Sequence, residues 1–564
     1  MFGKKKKKKI KSSRKPKTPK IVALGGEQLL AEALDYAGIN AVLAVPGLPG
    51  KDLTSHLLEN TTLGKQKRFQ WSLTSRTAVD TAAGMVLGGW WVAVLLRGAD
   101  LAPTLDTLQT LALSRFKGSL VLVVGDDPAA WFSHNSTDSR ALSAAANLPV
   151  LELERPQDSF QLVRRAFEWS ESYQLPVVLR YTSALNLEED EFWEEDAQPV
   201  RYPRKSRARF KSPVLSLPEN VLENHTNWRA RLANLQENAN LDHMAKKLGS
   251  GPKGILTAGY LLHKVLSVTG GKLDPYFSLL PLASSFPIPD QVVAEFLQGL
   301  DELLILEEVE PVVERQVLQL MARENWNGKL WGKTNQKVPG EGEIFEWEIE
   351  EILTRWVPEF ETENFFFPQQ EQQRRLFAEG FCEGCSHLES IQLFLEVVDS
   401  LPPENRPLLV ADSGCVLHVR MELPDVFDVS LSSGSALGLA VGLAAAQKKK
   451  PVAAVLGDTT FYRWGVPQIA EAVTQQRELF VLVLDNSLAA KTGFQPNPGS
   501  GWTAFRKNTR KIEKDDLLFA LKVDFFRILN LEDSDALKQA FLEGLQTKGV
   551  RVVVVKKPCN LLDS

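Results

Sequence analysis

At 564 residues the chain exceeds a single small binding module and has room for roughly three or four domains. With 44% hydrophobic and 24% charged residues, 13 Trp and 28 Phe, it holds ample material for cores and is not disordered in bulk. The formal charge of −5 conceals a split, because residues 1–20 carry eleven Lys and Arg and no acid, which leaves 54 bases against 70 acids in the body.

Such a tail reads as a basic, solvated, disordered segment, and an acidic body without an aromatic-studded basic face argues against a nucleic-acid function. Apolar runs such as 82–96 stop short of the ~20 residues that span a bilayer, so no membrane span is expected. Four cysteines cannot build a disulfide framework and the basic opening lacks the apolar stretch of a signal peptide, so the expected compartment is the cytoplasm.

In chain order, residues 21–37 predict a strand start and a helix ending at Gly38, and 41–45 a strand broken by Pro46-Gly47. Short apolar runs at 93–96, 119–124, 150–153 and 176–181, with a helix over 157–171, continue the alternation. Buried strands alternating with helices predict an α/β fold with mostly parallel sheets. The pattern fails at 188–211, where an acidic block precedes a basic, proline-bearing one, so 188–235 is taken as a linker. A second α/β unit, 236–354, carries strands at 254–258 and 302–306. A polar stretch, 355–378, separates it from a third unit at 379–564, while 21–187 forms the first.

The third unit carries the chemistry. The β-type run 452–456 ends in Gly457-Asp-Thr-Thr460, a helix is predicted over 466–475, and a second strand, 479–484, ends in Asp485-Asn486. Both polar clusters therefore fall at the carboxyl ends of parallel strands, where open α/β sheets bind ligands. Asp458 and Asn486 offer two hard oxygens and a backbone carbonyl just beyond could add a third, a set suited to Mg²⁺ bridging a diphosphate. Gly457 would let the backbone approach the phosphates, and Thr459 and Thr460 could donate hydroxyls. The competing reading is two ordinary strand-end turns, since Gly-Asp and Asp-Asn pairs are common there.

The segments Gly457-Asp-Thr-Thr-Phe-Tyr-Arg-Trp-Gly465 and Leu484-Asp-Asn-Ser-Leu-Ala-Ala-Lys-Thr-Gly-Phe-Gln-Pro-Asn-Pro-Gly499 resemble the thiamine diphosphate (TPP) domain of the α subunit of indolepyruvate ferredoxin oxidoreductase. Cys382-Glu-Gly-Cys-Ser-His387, Asp412-Ser-Gly-Cys415 and Gly434-Ser-Ala-Leu-Gly438 are similar to further motifs of that family. So are Val45-Pro-Gly-Leu-Pro-Gly50, Gly125-Asp-Asp-Pro128 with Asn135 and Asp138-Ser-Arg140, Phe286-Pro-Ile-Pro-Asp290 and Glu307-Glu-Val-Glu-Pro311, so the resemblance runs from residue 21 onward. It implies three α/β domains in a transketolase-like or 2-oxoacid oxidoreductase-like TPP-enzyme architecture. The first domain would hold the aminopyrimidine and the last the diphosphate and Mg²⁺. The resemblance assigns metal ligation to Asp458, Asn486 and the Leu488 carbonyl, and cofactor contact to Cys385, His387, Gly434, Ser435, Gly457, Thr459, Thr460 and Gly493. Cys382 and Cys385 alternatively form half of a zinc or redox pair, a weaker reading because Cys415 and Cys559 make no second pair in the sequence.

Departures from the family bear on mechanism. Ser75 stands where the family carries the glutamate that activates TPP through its pyrimidine, and a hydroxyl has no carboxylate charge. Leu48 replaces a threonine, and Arg463 and Asn497 replace histidines. No Cys-x-x-Cys-x-x-Cys run follows Pro558-Cys-Asn-Leu-Leu562, so no iron–sulfur cluster of that kind is expected on this chain. The leading expectation is an oligomeric TPP- and Mg²⁺-dependent subunit acting on a small-molecule 2-oxo acid. It would hand electrons to a γ/β-type or cluster-bearing oxidoreductase subunit. The alternatives are a non-catalytic TPP-binding paralogue serving as scaffold or regulator, and a non-oxidative 2-oxo acid decarboxylase.

Overall fold

A computed structural model describes residues 21–131, 133–187, 189–193, 218–241, 246–362, 382–423, 425–447 and 450–562. The basic tail 1–20 and the larger part of the two stretches read as linkers lie outside the described residues. What is described forms three parallel-dominated sheets clothed by helices, the α/β class the sequence predicts.

The first sheet has seven strands in the order 284–286, 150–152, 177–182, 119–126, 91–97, 41–44 and 69–71. All of its neighbours run parallel except the edge strand Ser284–Phe286, which comes from the second unit and pairs antiparallel with Val150–Glu152. In the middle sheet the order is 329–331, 302–306, 253–258, 277–282 and 248–249, and the last sheet runs 408–411, 452–457, 479–485, 550–556 and 525–530, all parallel.

Why these runs become strands is visible in the cores. Val452, Ala454, Leu456, Val481 and Val483 feed one apolar cluster, while Ala453, Val455, Phe480, Leu482 and Leu484 feed another on the opposite face. Period-2 side chains apolar on both faces belong to a sheet covered on both faces. The same division recurs in the middle sheet, where Ile255 and Leu304 face one cluster and Leu256 and Ile305 the other.

The span read as a linker, 188–235, is partly structured. Glu189–Trp193 pairs antiparallel with Ile21–Gly25, and Val221–Leu241 is a 21-residue helix. That helix ties two units together: Arg231 donates to the carbonyls of Ala112 and Gln174 in the first, and Asn240 Nδ2 donates to Asp290 Oδ1 in the second at 2.9 Å. Its apolar side is narrow: Trp228, Leu232, Leu235 and Ala239, spaced i, i+4, i+7 and i+11, pack on the core of the first unit, a helical period that the linker reading passed over among the polar residues around it.

Between the first and middle units lies a buried ion network. The Arg140 guanidinium donates to Asp138 at 2.7 Å, to Glu307 at 3.0 Å and to the carbonyl of Glu308. Glu307 in turn accepts from the backbone N–H groups of Val313 and Glu314, at the start of the helix Val312–Arg323. Nearby, Arg180 donates to Asp126 at 2.6 Å and to Glu152. Asp138–Arg140 and Glu307–Pro311, which carry the family resemblance, therefore fasten the first unit to the middle one, while Asp126 of Gly125–Pro128 organises the first unit through Ser139 and Arg180. Among the described residues no helix is long and apolar enough to cross a membrane.

Candidate functional site

A cleft opens where the last sheet meets the first. One wall is built from the carboxyl ends of Val452–Gly457 and Leu479–Asp485, the central neighbours of the last sheet, and carries Gly457, Asp458, Thr459, Thr460, Asn486 and Leu488. Pro46, Leu48, Arg97 and His134 of the first unit face them.

Asp458 is buried as the first residue of the short helix Asp458–Thr460. Its Oδ1 accepts from the Thr459 N–H at 2.7 Å and its Oδ2 from Asn497 Nδ2 at 2.8 Å. Burial, reinforced by the neighbouring Asp485 carboxylate, pushes its pKa up to about 8. Burial works the same way on Asp485, but Lys514, whose Nζ donates to it at 2.7 Å, holds that carboxyl below the usual range. Asp458 is thus the carboxyl of the two without a cation of its own. Asn486 Oδ1 accepts from the Leu488 N–H at 3.2 Å, which folds the strand end back over the cleft. Leu488 lies opposite Pro496 in a two-residue antiparallel ladder, and a proline has no N–H to offer the Leu488 carbonyl.

These features fit a dication and a diphosphate. A buried carboxyl short of a cation, an amide oxygen and a backbone carbonyl are hard oxygen donors, and water and phosphate oxygens commonly complete such a shell. Gly457 has an ordinary φ of −77°, and a Cβ built on it meets nothing within 4 Å. The backbone turn does not need glycine there, and the empty space is the cleft itself. His387, near the start of the helix Ser386–Ser400, is buried and lines the cleft, and its Nε2 has no hydrogen-bond partner among the described residues. Burial lowers its pKa to about 4 against the opposing pull of Asp485, so the imidazole is neutral near pH 7.

Other residues singled out from the sequence do not line the cleft. Gly434 has φ +84°, its N–H donates to Asp412, and a Cβ would fall 2.1 Å from Trp464, so it serves the turn. The Ser435 hydroxyl is engaged within that turn, donating to the Ser432 carbonyl at 2.7 Å. Gly493, at φ +117°, shapes the loop beside Thr492, and Cys385 sits just before the helix that carries His387, with no capping bond from its side chain. Ser75 is buried at the start of the helix Ser75–Leu87.

Several contributors were not singled out as site residues. Arg97 stands at the end of the strand Trp91–Arg97, so the carboxyl-end rule could have found it. Lys514 and Asn497 matter through Asp485 and Asp458, pairings with no local pattern. Burial, with smaller contributions from the other three cysteines, pushes the Cys415 thiol up to about 11. No group of three or more His, Cys, Asp or Glu among the described residues is arranged to hold a metal ion.

Residues 416–555 match the family described as thiamine pyrophosphate enzyme, C-terminal TPP binding domain. Indolepyruvate oxidoreductase subunit IorA of Pyrococcus abyssi is 28% identical over 577 residues, covering 96% of this chain and 86% of that one. The IorA subunit of Archaeoglobus fulgidus is 27% identical over 567 residues, covering 96% and 87%. Among solved structures, a 2-oxoglutarate:ferredoxin oxidoreductase from Magnetococcus marinus aligns with a TM-score of 0.46 and 13% identity over 59% of this chain and 65% of that one.

Proposed function

We propose that the chain, similar over 96% of its length to IorA-type indolepyruvate oxidoreductase subunits and matching the C-terminal TPP binding domain of thiamine pyrophosphate enzymes, is a TPP- and Mg²⁺-dependent subunit of a 2-oxo acid oxidoreductase. The observation that carries this reading is the pairing of Asp458 and Asn486 at adjacent strand ends, with Leu488 beside them, on one wall of a cleft whose other wall comes from the first unit.

In this reading Asp458, Asn486 and the Leu488 carbonyl would hold Mg²⁺, and Thr459 and Thr460 would bind the diphosphate. TPP supplies a carbon that acts as a nucleophile toward the 2-oxo group and as an electron sink for decarboxylation. Neutral His387, with Nε2 unpartnered, is placed to accept or donate one hydrogen bond inside the cleft. Pro46 and Leu48 give the opposite wall an apolar surface that excludes water. Oxidation of the substrate releases two electrons, and a cluster-bearing or γ/β-type subunit would receive them.

Ser75 favours a second reading, a non-catalytic TPP-binding paralogue, because it lies outside the cleft lining and carries no charge. One assay separates the two. The chain, purified with its native partners and supplied with TPP, Mg²⁺ and coenzyme A, should reduce methyl viologen only when a 2-oxo acid is present. TPP binding with no reduction by any 2-oxo acid would favour the paralogue.

A further inference from the structure

Two guanidinium groups meet at the cleft, Arg97 from the first unit and Arg463 reaching over from Phe461–Gly465 of the last, with the Asp100 carboxylate beside Arg97. Arg97 donates from Nε and Nη2 to Asp100 at 2.7 and 3.0 Å. Asp100 also feels Arg463, and Arg463 feels Arg97 in turn. Both arginines rest on the same dipeptide. The Arg97 stem occupies the space where a Cβ on Gly47 would sit, 2.4 Å away, and Arg463 Nη2 approaches the Pro46 carbonyl at 3.4 Å. Arg463 is packed deeply with part of its surface open to the cleft, and its Nε is buried with no hydrogen-bond partner among the described residues. Lys491 and His134 stand among the lining residues as well.

Burying a guanidinium without its own anion is costly, and the cost is recovered when an anion takes the free N–H groups. The diphosphate is one claimant, but Asp458, Asn486 and Leu488 already provide for its metal, and Arg463 hangs on Pro46 of the facing wall. The carboxylate that leaves as CO₂ is a poor second claimant. A strong cation on it would stabilise the ground state more than the transition state, in which its charge is dispersing. A carboxylate that survives the reaction has no such penalty. We propose, resting on the reading above, that Arg463 with Arg97 beside it receives a distal carboxylate, so that the substrate is a 2-oxo acid bearing a second acid group. Arg463 is then a specificity residue.

The full chain with TPP and Mg²⁺ is titrated with 2-oxoglutarate, 2-oxobutyrate and phenylpyruvate, and glutarate and butyrate are titrated with and without TPP. Wild type should bind the diacid of each set more tightly, by about tenfold or more. Arg463→Gln should erase that preference while leaving 2-oxobutyrate and TPP affinities within about twofold, and Arg463→Lys should keep part of it. Tighter binding of phenylpyruvate, no diacid preference in wild type, or loss of TPP affinity in Arg463→Gln would overturn the proposal. The glutarate and butyrate titrations without TPP report on the arginines even in a chain that takes no TPP, so failure of the cofactor reading is told apart from failure of this one. Comparison within wild type decides the matter if the Gln variant does not fold.

Discussion

Gly457 and Gly434 read alike as glycines next to a polar cluster, yet they do different things. At φ +84° and with Trp464 at 2.1 Å from any Cβ, Gly434 has no room for alanine. Gly457 has both the room and an ordinary φ. Gly434→Ala should therefore cost roughly 1–3 kcal/mol in urea unfolding, from overpacking and a strained backbone. Gly457→Ala should stay within about 0.5 kcal/mol of wild type but weaken TPP binding, because its methyl group enters the cleft. Glu154 is a buried carboxyl whose Oε1 has no partner among the described residues. Burial first, and then Asp158, push its pKa from 4.5 up to about 8. Between those two values the unfolded chain releases a proton that the folded chain keeps, so stability falls as pH rises across the window. Glu154→Gln should remove that slope and gain on wild type at pH 8 relative to pH 5, by an amount on the order of a few kcal/mol, measured by unfolding at both pH values. That Asp458 and Asn486 would meet at adjacent strand ends was legible because such positions in a parallel sheet carry a chemical meaning. Glu154 was not, since nothing in the local sequence says that a glutamate will be buried.

At the level of elements, the apolar runs at 119–124, 302–306, 452–456 and 479–484 became strands within a residue or two of where the sequence put them. Their β-branched and leucine side chains have no other place than a sheet covered on both faces. The helix Val221–Leu241 was passed over although Trp228, Leu232, Leu235 and Ala239 form a helical stripe on the core of the first unit, because polar residues and the charged blocks before it made the span read as a linker. The motifs around Arg140 and Glu307 were recognised while their purpose was not. They fasten the first unit to the second through Arg140, which bonds Asp138 and Glu307 in a setting where all three are buried. Arg140→Met should strand two buried carboxylates and cost about 3–5 kcal/mol in denaturant unfolding. Arg323→Ala, which removes an exposed ion pair to Asp290, should cost no more than about 1 kcal/mol by the same measurement. Equal losses would mean that the buried network does not hold the junction.

For the molecule as a whole, the sequence reading arrived at three α/β units and their order. It could not show that Ser284–Phe286 crosses into the first sheet, nor that Pro46 and Arg97 would face Asp458 across a cleft. Such pairings join segments more than a hundred residues apart and leave no mark on local periodicity. The proposal that this cleft holds TPP and its metal is tested most directly by calorimetric titration of the full chain with TPP. In Mg²⁺ binding should be saturable, in EDTA it should vanish, and Asp458→Ala should abolish it even with Mg²⁺ present. Equal affinity with and without the metal, or undiminished binding by Asp458→Ala, would contradict the assignment of Asp458, Asn486 and Leu488 as the diphosphate–metal site.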